Sequence, residues 1–307
     1  MTIRCGTVAL IGQPNAGKST LLNRLLGAKL AIVSSKPQTT RHRIAGILTT
    51  PRIQVRLLDT PGIHEPWTEL NREMVGRAHS ALSEADAAIW LVDATVSAAR
   101  LRAGEPLLDA TDHRVAEALR GSRRPVIFAA NKSDVVERLA LEAVQAAVAD
   151  TLPLAGSTAL SAATGAEIQA LLALVEAVLP EGEQFADPEA WTELPERFLA
   201  AEIVREKVFH LTEQEIPYTT HVEVVQFDET ERESQQLVRI HMDVVVERPS
   251  QKAIVIGKGG EMLKRIGTLA RKEIQELLGS RVYLELFVKV ERDWTRTANG
   301  LRRVGYR

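Results

Sequence analysis

GQPNAGKST, residues 12 to 20, follows directly on the apolar run TVALI, residues 7 to 11, and leads into LLNRLLG. A strand, a glycine-bearing loop and a helix opened by Lys18 and Ser19 make a phosphate cradle. The glycines let main-chain N–H groups approach the oxygens, Lys18 reaches the outer phosphates, and the Ser19 hydroxyl can bind Mg²⁺. From residue 6 to about 180, strand-like and helical patterns alternate: TVALIG, STLLNRLLG, IQVRLLDT, AAIWLVDA, VAEALRG, PVIFAANK, LALEAVQAAVADTL, STALSA and IQALLALVEAVL. The strand-like runs are apolar on both faces, which predicts an α/β domain with a mostly parallel sheet covered by helices. Ligands in such folds sit at the carboxyl ends of the strands.

The chain has 307 residues, of which 45% are hydrophobic, enough for two domains with cores of their own. Cys5 is the one cysteine, so an internal disulfide framework is excluded, and no His/Cys spacing suggests structural zinc. MTIRCGTVAL runs into a strand with no signal-like leader, and the apolar stretch at 170 to 179 contains Glu176 and is too short to span a bilayer. A cytoplasmic protein is expected. PEGEQFADPEAWTELPE, with three prolines and six acidic residues, reads as a linker over 181–197 between domains 1–180 and 198–307. Beyond it come a helix (RFLAAEIVREKVFHL), two strands (HVEVVQF and LVRIHMDVVVE), the loop VIGKGG, a helix (EMLKRIGTLARKEIQELLG) and a last strand (VYLELFVKV), an α+β order. The net charge of −2 conceals an asymmetry: residues 248 to 307 hold 14 Lys/Arg against 6 Asp/Glu. A terminal segment of one sign points to a polyanionic partner.

LLDTPG ends a strand with Asp59, a carboxylate placed to hold Mg²⁺ through water, and Gly62 can donate its N–H to a terminal phosphate. NKSD, residues 131 to 134, ends another strand. Asp134 can accept two hydrogen bonds from the ring N–H and exocyclic amine of guanine, donors that adenine does not present together. SAA at 161 to 163 can offer a main-chain N–H to the guanine carbonyl. The nucleotide set is therefore Gly12, Asn15, Ala16, Gly17, Lys18, Ser19, Thr20, Asp59, Gly62, Asn131, Lys132, Asp134, Ser161, Ala162 and Ala163.

In this order the four segments resemble the translation-factor-like GTPases. KPQTTRHRIAGI at 36 to 47, with GQPNAGKSTLLN, DTPGI and LPERFLAAEIVREKVF, resembles more narrowly the Era family of bacterial ribosome-assembly GTPases, over nearly the whole chain. The resemblance implies that QTTRH is the first switch, with Thr40 as a Mg²⁺ ligand and Thr39 as the alternative. The position after DTPG is Ile63, where many GTPases carry a water-orienting glutamine. An aliphatic side chain cannot do this, so intrinsic turnover is expected to be slow. By likeness to related GTPases with such loops, Asn15 helps bind K⁺ in place of an arginine finger. Arg41 and Arg43 are rivals for that role, with a solvated or RNA-facing place as the simpler reading for both. The catalytic set is Lys18, Asn15 and Thr40.

AIVIGKGGEMLKRIG matches the KH pattern, in which a GxxG loop clamps single-stranded backbone, and the element order suggests the type II arrangement. Gly257, Lys258, Gly259 and Gly260 form the loop, Lys264 and Arg265 add charge, and Ile254, Ile256 and Ile266 are expected to contact bases. Trp294 and Tyr306, beyond the last strand, read as core or tail packing. The resemblance to the Era family implies a GTP-hydrolysing switch, expected as a monomer, that binds small-subunit ribosomal RNA near its 3′ end and assists small-subunit assembly. Two alternatives stay open: an RNA chaperone with nucleotide as a structural ligand, and a division-linked GTPase in weak peripheral contact with the inner membrane.

Overall fold

The structure, a computed structural model, describes residues 3–34, 36 and 38–306; Pro37 of the first-switch segment lies outside them. The chain divides into two compact units, Met1–Pro66 with Asn71–Glu193, and Trp67–Leu70 with Leu194–Arg307.

In the first unit, β1 (Ile3–Gly12) carries Val8 to Ile11 fully buried and runs into α1 (Lys18–Leu26). β2 (Ile44–Thr49) and β3 (Ile53–Asp59) follow, then α2 (Glu69–Glu84), β4 (Ala87–Asp93), α3 (Ala94–Ala103) and α4 (Ala110–Ser122). β5 (Val126–Asn131), α5 (Arg138–Ala149), β6 (Gly156–Ala159), α6 (Ile168–Val178) and β7 (Glu181–Gly182) complete it. The strand order is β2-β3-β1-β4-β5-β6, with β7 antiparallel to the start of β1. The expected mostly parallel sheet is present, and only β2 and β7 run against their neighbours. β1 lies between β3 and β4, so the strand order reverses at the cradle loop, where such sheets open a crevice. Trp90 and Phe128 meet edge to face in the core, centroids 5.9 Å apart.

Two elements carry no clear pattern in sequence. The apolar run of β2 is interrupted by Gly46, and within this unit the buried stripe of α2 is Met74, Ala78 and Ala81, two alanines among charged residues. The acidic segment expected as a linker over 181–197 contains the division between the two units, at Glu193 and Leu194, and beyond β7 it has little regular structure before α7 (Glu196–Leu211). Its first part lies along the sheet edge of the first unit: β7 pairs with β1, Ile47 N–H donates to Trp191 O at 2.9 Å, and Thr192 Oγ1 donates to Ala45 O at 2.7 Å. Gln54, fully buried, accepts from Phe185 N–H and donates to Ala186 O. Proline and acid content predicts the lack of helix here, but these long-range bonds order the backbone.

The second unit contains α7 (Glu196–Leu211), α8 (Ile216–Thr219), β8 (His221–Asp228), α9 (Arg232–Gln235), β9 (Leu237–Val246), α10 (Pro249–Ile256), α11 (Glu261–Leu278), β10 (Arg281–Val290) and α12 (Ala298–Arg303). Its sheet has the order β10-β9-β8, with β9 parallel to β10 and antiparallel to β8. The α-β-β-α-α-β core is the type II KH order. α10 corrects the sequence reading, which gave AIVI no helix of its own. Pro249 opens it with φ already suited to a helix, the Gln251 side chain accepts from Glu247 N–H and Arg248 N–H, and Gly257 closes it. These end signals override the strand preference of a β-branched run.

Beyond β10 the chain returns to pack Trp294 and Tyr306 around His221, with ring centroids 5.8 to 6.2 Å apart. Trp294 is fully buried and its Nε1–H donates to Thr219 O at 2.9 Å. Trp294→Ala should therefore destabilise the second unit by about 3–5 kcal/mol. Denaturant unfolding of the full chain should show that loss while GDP affinity stays unchanged.

Candidate functional site

The carboxyl ends of β1, β3, β4 and β5 deliver Gly12, Asp59, Asp93 and Asn131 to one edge of the first unit. A cavity of about 660 Å³ opens there, lined among others by Asn15, Gly17, Lys18, Ser19 and Thr20 of the cradle, by Thr40 and Gly62, and by Asn131, Lys132, Asp134, Ala162 and Ala163. Gly12, Ala16, Asp59 and Ser161 stand behind these residues and are buried. Gly17 needs its lack of a side chain: its φ is 97°, and a Cβ would lie 2.1 Å from Asn131 Nδ2. A Cβ on Gly62 would lie 2.4 Å from Pro14 N, so the loop after β3 passes against the cradle only as glycine.

Lys18 is buried and its Nζ donates to Gly12 O at 3.2 Å and Gln13 O at 2.7 Å, curling the loop around the ammonium. Burial pushes Lys18 down to about 8, against the opposing pull of Asp59. Burial likewise pushes the Asp59 carboxyl up, resisted by Lys18 and by hydrogen bonds from Ser19, Thr40 and the Thr60 main chain. Ser19 Oγ donates to Asp59 Oδ2 at 2.6 Å, and Thr40 Oγ1 is 2.8 Å from Ser19 Oγ and 3.1 Å from Asp59 Oδ2. Thr39 turns its hydroxyl to Lys36 O at 3.2 Å. Of the two threonines, Thr40 is therefore the one that meets Ser19 and Asp59. Asp59 Oδ1 is buried with no hydrogen-bond partner among the described residues. Two hydroxyls around a carboxylate with one unsatisfied oxygen suit a hard cation that draws its other ligands from phosphate and water. Among the described residues no group of three or more His, Cys, Asp or Glu converges as a metal cage.

At the other end of the cavity, Asn131 acts through the protein: its Nδ2 donates to Ala16 O at 2.8 Å and its Oδ1 accepts from Ala162 N–H at 3.0 Å. It stitches the cradle to the SAA loop. The Ala162 N–H is thus committed to Asn131, and Ala163 lines the cavity beside it. Lys132, held at φ 66°, pairs with Asp93, and Asp134 stands exposed beside it with its carboxylate available to a base edge. Ser161 is buried and accepts from Thr164 N–H, shaping the loop. Arg24 of α1 was not foreseen: it donates to Ala162 O at 3.1 Å and to Ala163 O, holding the SAA loop from behind. No local pattern marks it, because its partners lie 138 and 139 residues away.

Ile63 is 4% exposed and is part of the same buried cluster as Ile11 and Trp90, so its side chain belongs to the core. Arg41, expected in solvent or facing RNA, is buried instead. Arg43 is exposed and pairs with Glu84, and neither arginine lines the cavity.

In the second unit, Gly257, Gly259 and Gly260 have φ of 75°, 60° and 82°. A Cβ on Gly257 would lie 2.7 Å from Met262 Cβ, so this glycine serves the fold. A Cβ on Gly259 or Gly260 would meet nothing within 4 Å, so these two leave open main chain on the surface. Lys258, Lys264, Arg265 and Ile254 are exposed around them, and Ile256 is half-buried. Ile266 is corrected: it is fully buried, first of the stripe Ile266, Ala270, Ile274 and Leu278 that α11 turns to the core. It cannot touch a base.

Residues 7–132 match the 50S ribosome-binding GTPase family, and residues 215–295 match the KH domain. The chain is 46% identical to GTPase Era of Geobacter metallireducens over 99% of this chain and 98% of that one. It is 42% identical to GTPase Era of Leuconostoc citreum over 99% and 97%. A crystal structure of Era in complex with MgGDPNP and nucleotides 1506–1542 of 16S ribosomal RNA superposes with a TM-score of 0.90 at 37% identity, covering 99% of both chains. A variant of Aquifex aeolicus Era bound to GDP and AlF4⁻ gives the same TM-score, identity and coverage. With a phosphate cradle, a base-reading loop and a KH loop in one chain, and with this identity over its whole length, the chain belongs to the Era family of GTPases.

Proposed function

We propose that this GTPase binds single-stranded RNA near the 3′ end of the small-subunit ribosomal RNA through its KH unit, with nucleotide state setting when it does so, and thereby assists small-subunit assembly in the cytoplasm. The observation that carries the reading is the GKGG loop: two of its glycines leave main chain open beside Lys258, Lys264 and Arg265, as a phosphate backbone requires. Among the described residues no helix is long and apolar enough to cross a membrane. The solved Era complex with 16S ribosomal RNA supports the choice of RNA.

In the GTPase unit, Ser19 and Thr40 would hold Mg²⁺ directly and Asp59 through water, and the ion would neutralise charge on the outer phosphates. Lys18, fixed by the carbonyls of Gly12 and Gln13, faces the same phosphates, and the Asp134 carboxylate selects guanine. The gap left by Ile63 calls for another source of positive charge. Asn15 lines the cavity with φ 65°, and we propose that its side-chain oxygen binds a K⁺ ion beside the bond that breaks.

Three outcomes follow. Gly259→Asp or Gly260→Asp should abolish binding to single-stranded 16S 3′-end RNA in filter binding, with large-subunit RNA as control. Aspartate tolerates positive φ and its Cβ meets nothing in the protein, so fold and GTP turnover should persist; retained RNA binding would reduce GKGG to a turn. Hydrolysis should run about tenfold or more faster in potassium than in sodium at equal ionic strength. Asn15→Ala should erase the difference, and equal wild-type rates in the two salts would remove the ion.

The third outcome concerns Lys18, whose folded value of about 8 lies below its ordinary 10.5. Between these values the folded protein binds fewer protons than the unfolded chain, so the nucleotide-free protein gains stability as pH rises through that window. Phosphates favour the charged form, so nucleotide binding takes up a proton and affinity falls as pH rises past about 8. Calorimetry in buffers of different ionisation enthalpy should detect this uptake, and Lys18→Ala should lose it.

A further inference from the structure

With Ile63 committed to the core and its N–H donating to Gly12 O at 3.2 Å, the second-switch position that orients water in many GTPases has no polar side chain and no free N–H to offer. A different amide stands at the Thr40 and Gly62 end of the cavity. Gln38 lines it, two residues before Thr40, with its backbone in the left-handed region at φ 59°. Such a conformation in a residue other than glycine is sparsely populated and persists where its surroundings hold it.

What holds Gln38 is His64, two residues after Gly62. Gln38 Nε2 is 3.3 Å from His64 Nε2, and His64 Nδ1 is 2.7 Å from Gly62 O. An amide nitrogen only donates, so His64 Nε2 accepts, and the ring proton lies on Nδ1 and is given to the Gly62 carbonyl. On the far side Asn71 Nδ2 reaches Gln38 Oε1 at 3.5 Å. The amide thus bridges the first-switch loop to the loop after β3, with one N–H and one oxygen lone pair still available to a water molecule.

We infer that Gln38 orients the water that attacks GTP, and that His64 is a positioning residue acting through Gln38. In this step the water oxygen forms a bond to the γ-phosphorus as the bond to the β–γ bridging oxygen breaks, and the bond's electrons leave with GDP. One water proton passes to a γ-phosphate oxygen. Gln38 Oε1 accepts a hydrogen bond from the other and takes no proton.

The test is single-turnover GTP hydrolysis by the full chain, in potassium and in sodium. Gln38→Ala and the length-matched Gln38→Met should each slow hydrolysis by about a hundredfold, the loss expected from misplacing a reactant. Both variants should do so equally in the two salts, which separates Gln38 from the potassium site. GDP and GDPNP affinities should stay at wild type, which also reports an intact fold, while trapping of GDP with AlF4⁻ should be lost. His64→Ala should slow hydrolysis less, and in the Gln38→Ala background it should cost nothing more, because its effect runs through the amide. Wild-type hydrolysis by Gln38→Met would overturn the inference, as would losses from Gln38→Ala and His64→Ala that multiply in the double variant.

Discussion

Two opposite charges, Lys18 at the start of α1 and Asp59 at the end of β3, are buried where a neutral pair would be far easier to accommodate. Their mutual attraction does not offset their loss of water: burial is the largest influence on each, lowering the lysine and raising the aspartate. The rest of the first unit can be understood as what keeps this arrangement in place. Carbonyls of Gly12 and Gln13 hold the ammonium, hydroxyls of Ser19 and Thr40 hold one carboxylate oxygen, and the other oxygen has no partner among the described residues. A polyanion with a divalent cation supplies what the pair lacks. A site held short of its counter-charges responds strongly to what it binds.

Glycine serves opposite ends in the two units. At Gly17, Gly62 and Gly257 a side chain would strike the protein itself, so the residue allows one segment to lie against another. At Gly259 and Gly260 the space is open, so the bare main chain faces outward. The first kind builds a scaffold and the second leaves room for a ligand. GKGG contains both, and the motif alone does not tell them apart.

Ile63 shows how a core can dictate chemistry. Buried in the cluster that holds Ile11 and Trp90, and with its N–H on Gly12 O, it ties the loop after β3 to the sheet, and its side chain has no polar role. Gln38 and Asn15 line the cavity, and His64 meets Gln38, from three loops that are distant in sequence.

The sequence by itself determined the alternating sheet, the cradle, the guanine-reading loop and the GKGG turn. Each rests on short-range requirements: positive φ or close approach at glycines, a strand end before a loop, two-sided apolar runs. Only the tertiary structure decided which of Thr39 and Thr40 meets Asp59, that Ile266 faces the core, and that the acidic segment after Pro180 lies along the sheet. The same holds for Arg24 behind the SAA loop and for His64 against Gln38. The physical reason is common to all of them. A backbone requirement is carried by a residue and its neighbours, whereas the side that a helix buries, and the partner that satisfies a polar group, are set by chain that arrives from far away.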